Sequence, residues 1–178
     1  MLSRSWGPFY VRIYVHMIVR NDNSGGYEEP VVREAINLMK ADFIERNIFF
    51  VWENCAIDRI LNSTLYNTGV FLPIEPDPFL TTITSYNPNP DGIDIYLLPA
   101  SHPCNAGKAT GIPGKALALG GSFWLPPYPH FIPSRVLSHE MGHCLGRRWL
   151  LTVLRWIRTR PLCYNTCKRI PCNLIRIL

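Results

Sequence analysis

The sequence predicts a mixed α/β fold, and three observations carry that expectation. Residues 10–19 alternate apolar and polar side chains as a half-buried strand does, with Val11, Ile13, Val15, Met17 and Val19 on one face. Residues 29–46 then repeat apolar side chains at helical spacing through Val32, Ile36, Met39 and Phe43. Near residue 140 a second helical stripe, Leu137, Met141 and Cys144 flanked by Val136 and Leu145, carries paired histidines. With 178 residues, 47% hydrophobic and 17% charged, the chain is one globular domain's worth with a real core.

Each element follows from its own signals. The first strand ends at the polar turn "RNDNSGG". Glu28 and Glu29 complement the positive end of the first helix, and Pro30 suits its first turn. "IFFVW", 48–52, reads as a strand, and a shorter one is expected near 55–60. A long polar, proline-rich region runs to about residue 90, followed by the strand "GIDIYLLP", 92–99, with Ile93, Ile95 and Leu97 alternating. "GKALALGGSFW", 114–124, reads as an edge strand, and Leu117, Ala118, Leu119 and Gly120 are its candidate substrate-binding residues. Its glycines would let another backbone approach, although Gly120 and Gly121 fit a bulge or turn equally. Ser134 after Pro133 marks the start of the last helix, and Gly146 its stop in a left-handed backbone.

The chemistry sits in "SHEMGHCLGRRW", 138–149. His139 and His143 are four residues apart, so on a helix both imidazoles leave one face and can grip a single tetrahedral zinc. Glu140 stands one step round, where its carboxylate can act as general base toward a zinc-activated water. The spacing points to Zn2+ as cofactor and to metal-assisted hydrolysis of a peptide bond, with a protein or peptide as partner.

Read together in order, "VRIYVHMI", "INLMKADFIERNIFFVW", "DGIDIYLLPA", "GIPGKALALGG" and "SHEMGHCLG" resemble the pappalysin-like (cytophagalysin) family of metzincin zinc metallopeptidases over roughly residues 8–146. The resemblance implies a zincin upper subdomain: a twisted mixed sheet backed by two helices, the second bearing the first two zinc ligands, with an edge strand that aligns substrate antiparallel. It also implies a secreted endopeptidase with His139 and His143 as ligands, Glu140 as base and Gly146 as the turn glycine of H-E-x-x-H-x-x-G-x-x-H. The third-ligand position falls on Trp149, whose indole has an N–H donor but no lone pair for a metal. The family's Met-turn has no counterpart either, since the four methionines are residues 1, 17, 39 and 141.

Beyond Glu140 there is no Asp or Glu, and beyond His143 no His, so Cys163, Cys167 and Cys172 are the remaining downstream ligand types. His102 and His130 lie upstream, His130 toward the opposite end of the motif helix. The division of charge is as sharp. Residues 147–178 hold eight basic residues and no acidic one, which leaves 10 basic against 13 acidic, or −3, for residues 1–146. The chain therefore divides into a catalytic-type domain, 1–146, and a basic tail, 147–178.

Three readings of that tail stand: a shifted or truncated end that is not native to the fold, a cationic amphipathic helix for an anionic membrane surface, or an ordinary helix docked on the domain. Because the basicity belongs to the tail alone, no nucleic-acid partner is expected. No signal peptide is visible: the early apolar run contains Arg12 and His16. The six cysteines leave their pairing open. Two functions follow, a zinc metalloendopeptidase and, because of Trp149, an inactive pseudo-peptidase or fragment that binds peptide or membrane.

Overall fold

A computed structural model describes residues 8–68, 76–99, 106–120 and 132–146, and of residues 106 and 132–135 the backbone alone. Trp149 and the rest of the tail lie outside the described residues, as do His102, His130, Gly121 and the cysteines beyond Cys55 and Cys144. Those two cysteines are free thiols.

The described chain runs β1 (Phe9–Val19), α1 (Glu29–Ile44), β2 (Ile48–Val51), β3 (Ile57–Leu61), α2 (Ser63–Thr68), α3 (Pro78–Ile83), β4 (Ile93–Leu97), β5 (Ala106–Ala109), β6 (Ala116–Gly120) and α4 (Ile132–Leu145). It is a mixed α/β fold built on one six-stranded sheet in the order β2-β1-β4-β6-β5, with β3 also pairing β1. All pairings are parallel except β5 with β6. Both β2 and β3 lie along the side of β1 away from β4, β2 against residues 9–12 and β3 against 15–19. The intervening short 3-10 turn, Glu53–Cys55, interrupts what would otherwise be one strand.

Alternation along β1 decides the layers. Ile13, Val15, Met17 and Val19 face one side, where Ile95, Leu97, Leu117 and Leu119 join them under α1 and α4. Ile18, Tyr96, Leu98 and Ala118 face the other side, under Leu65 of α2 and Leu80 and Ile83 of α3. Helix α1 buries Val32, Ile36, Met39 and Phe43, the four residues whose spacing predicts it. It stops at Ile44 rather than 46 because the chain turns through Asn47 in the left-handed region, φ 61°.

Two expectations are corrected by this arrangement. The proline-rich stretch before residue 90 contains two short helices, and α3 has a full start signal: Asp77 caps it by accepting from the Phe79 and Leu80 N–H groups, and Pro78 follows. Strand β6 is not an edge. It pairs with β4 on one side and β5 on the other, and Leu117, Ala118, Leu119 and Gly120 are buried. Two-sided pairing leaves their backbone groups committed and their side chains in the core, so they cannot form a peptide-binding rim. Among the described residues the edge on this side of the sheet is β5, antiparallel to β6.

The second face holds an unforeseen polar cluster. His16, 2% exposed, hydrogen-bonds through Nδ1 to Asp58 and through Nε2 to Asp94, each at 2.9 Å, and stacks on Tyr96. Asn89 donates from its backbone and side chain to Asp94, and Asn87 donates to Asp58. Burial opposes a charge on His16, but the hydrogen bonds to Asp94 and Asp58 outweigh it and the imidazole pKa is raised.

Candidate metal centre

Helix α4 is pinned before its histidines are considered. Leu137, Met141 and Cys144 are buried in the core beneath the sheet, and Ser138 hydrogen-bonds to Asp42 of α1. The same stripe fixes which way the intervening residues face. Gly146 ends the helix at φ 100°, with its N–H on the His143 carbonyl, as the sequence predicts. The start lies at Ile132, one residue before Pro133.

His139 and His143 converge on one face of this helix. Their Nε2 atoms are 3.0 Å apart and their rings meet edge to face. One metal-ligand atom from each of His139, Glu140 and His143 can be chosen so that all lie within 4.8 Å of one another, a group able to hold a metal ion. A tetrahedral zinc at about 2.0–2.1 Å from two imidazole nitrogens separates them by about 3.3 Å. The pair is therefore within a small ring rotation of zinc geometry.

The electrostatics favour a cation ligand set. Burial, with the neighbouring His143 second, lowers the His139 pKa to about 4, and burial lowers that of His143 too. Both rings are then neutral near pH 7, the form that offers a lone pair. With both Nε2 lone pairs given to a metal, each Nδ1 carries the proton, and the buried Nδ1 of His143 has no partner among the described residues. Metal-binding histidines usually donate that N–H to an acceptor, and the described residues supply none.

Glu140 is buried, and that burial pushes its pKa up to about 7 against the opposing pull of the Ala109 N–H and Lys108. A carboxyl near neutrality can both accept and return a proton. Cys144, on the core side, has its thiol pushed up to about 12 by burial and by Glu140, which leaves it protonated and poorly suited as a ligand.

Strand β5 lies directly over this helix. A Cβ at Gly107 would stand 2.7 Å from Glu140 Cγ, 2.8 Å from Val136 Cγ1 and 2.9 Å from Leu119 Cδ2. Only glycine allows the strand that close. The neighbouring Lys108 reaches 3.4 Å from Asp77, the buried cap of α3. Sequence reasoning missed Gly107 and Ala109; the available signal was a glycine within a short run of small residues just upstream of a buried strand.

Of the sequence-predicted site residues, His139, Glu140 and His143 come together and the four β6 residues do not join them. No family model matches the chain, and no curated protein matches it. Among solved structures it is similar to metalloproteinase-II from Bacteroides fragilis, with TM-score 0.44 and 18% identity over 80% of this chain and 44% of that one. The chain spans less than half the length of that protein, and a likeness at this level assigns no role to any residue.

Proposed function

We propose that residues 8–146 form the zinc-binding upper half of a peptidase site, with His139 and His143 as ligands and Glu140 as general base. The single observation that carries this reading is the convergence of the two Nε2 atoms at 3.0 Å beside a buried carboxyl, under the strand that ends the sheet among the described residues. Zinc held there supplies a Lewis acid toward a substrate carbonyl and makes water acidic near neutrality. Strand β5 offers outward backbone groups to an extended peptide, which pairs with it as an added strand. A Glu140 carboxylate oxygen takes a proton from the attacking water, and its pKa near 7 lets it pass that proton to the leaving amine.

The finer assignment, a secreted metzincin of the pappalysin-like kind, rests on the sequence resemblance. Trp149 at the third-ligand spacing favours a second reading, a chain that binds zinc weakly and retains peptide docking without hydrolysis. The two separate in one experiment: zinc-dependent cleavage of an unfolded protein, compared with Glu140→Gln. Cleavage that chelation and Glu140→Gln both abolish supports the peptidase. Cleavage that persists in Glu140→Gln refutes the role of the base, and absence of cleavage with β5 docking intact supports the second reading.

A further inference from the structure

A neutral imidazole has one N–H and one lone pair, and an ionised carboxylate can only accept. His16 nevertheless meets a carboxylate oxygen at each ring nitrogen, Asp58 at Nδ1 and Asp94 at Nε2, both at 2.9 Å. Both contacts are hydrogen bonds only when the ring carries a second proton and donates at both ends. The same two carboxylates anchor the segment that follows α3. Asn87 donates to Asp58, and the backbone and side chain of Asn89 both donate to Asp94. Pro88 and Pro90 flank Asn89 and have no N–H to give, so the one amide between them is committed to Asp94. Tyr96, stacked on His16, adds its hydroxyl to the Tyr86 carbonyl at 2.7 Å. Residues 86–89 are thus strapped to the sheet through groups that converge on one imidazole.

We propose that His16 is a proton-operated clasp: as imidazolium it bridges Asp58 and Asp94 and holds residues 86–89 on the sheet, and loss of its proton frees Asp58 together with Asn87. The side that opens follows from burial. The Asp94 side chain is 3% exposed and no water replaces a lost donor there, so the ring keeps its remaining N–H at Nε2. The Asp58 side chain is 43% exposed, and water takes the place of Nδ1. Among the described residues, α2 and α3 bring no charged side chain of their own over this face, and Tyr66 and Tyr86 pack against it. Farther along the same face Arg12 is committed to Asp91, to which Tyr14 also donates, and Lys108 to Asp77, which leaves the His16 proton as the counter-charge for Asp58 and Asp94. Burial opposes that proton and the two carboxylates favour it more, so the clasp is shut below pH 6.5 and opens as pH rises through the raised folded value. It lies on the sheet face opposite α4 and rests on neither zinc nor the peptidase reading.

The test follows the full chain by NMR from about pH 5.5 to about pH 9, with chelator present. At the acid end both His16 ring nitrogens should carry protons, and above the midpoint the remaining proton should sit on Nε2. Exchange of the side-chain amides of Asn87 and Asn89 is read as a ratio to that of the exposed Asn37, which cancels base catalysis. As His16 titrates, the Asn87 ratio should rise at least about fivefold, the loss of one hydrogen bond, while the Asn89 ratio holds. Asp58→Asn removes one of the two charges, so the His16 midpoint should fall and the Asn87 ratio should no longer vary with pH. The wild-type titration decides the matter without any variant. A neutral His16 ring at the acid end, an Asn87 ratio that ignores the His16 titration, or release of Asn89 in place of Asn87 overturns the clasp.

Discussion

His139→Ala should flatten the acid side of the protein's stability curve. With chelator present, folding drives the His139 pKa from 6.5 to about 4, chiefly through burial and secondly through His143. The folded state therefore holds this ring neutral between those values while the unfolded chain protonates it. Its contribution is fully present above pH 6.5 and is lost as pH falls toward 4. Weighing both states at pH 7 and pH 5 gives a loss of about 2 kcal/mol over that interval, an upper figure because the ring is partly exposed. His143 adds to it in the same direction. Urea unfolding of wild type and His139→Ala at the two pH values isolates the effect, since the substitution's constant cost cancels in the difference. Wild type should lose about 1–2 kcal/mol more than the variant between pH 7 and pH 5. Equal losses would refute the claim that α4 buries a neutral imidazole pair.

Other expectations follow from single contacts. Asp94→Ala deprives His16 Nε2 and both Asn89 donors of their acceptor and should cost about 3 kcal/mol or more in urea unfolding; a cost below about 1 kcal/mol would show the cluster to be solvated. His16, with its pKa raised, contributes stability that is fully present below 6.5 and is lost as pH rises through the folded value, so its imidazole resonances should titrate above 6.5 by NMR. Gly146→Ala meets no atom of the described residues within 4 Å but must adopt φ 100°, and should destabilise by about 1 kcal/mol in a thermal melt while leaving the α4 contacts intact. Trp149→His places an imidazole at the third-ligand spacing and should tighten zinc at least about tenfold by competition with a chromophoric chelator; no change would detach residue 149 from the site.

The sequence announces the parts of this fold that have a period and conceals those that depend on partners distant in the chain. Strand β1 and helix α1 are legible because Ile13, Val15 and Met17, and Val32, Ile36 and Met39, repeat at the spacing of the surface they bury. The histidine pair is legible because one helical turn fixes its geometry locally. Which strand forms the edge is not, because β5 is four small or polar residues that reveal their place only by doubling back antiparallel to β6. The run "ALALG" did carry a signal: five apolar or small residues without a polar alternate describe a strand covered on both faces. Likewise, His16 and Asp94 interrupt two apolar strands, and only the register of β1 between β3 and β4 turns those interruptions into one bonded cluster.

Whether His139 and His143 act as one metal site is measured most directly by zinc binding. Purified chain, stripped with chelator and titrated with zinc by calorimetry, should bind one ion. His139→Ala and His143→Ala should each abolish that binding with the fold retained, and Glu140→Gln should keep it. Equal zinc uptake by wild type and both histidine variants would contradict the claim that this pair is the ligand set.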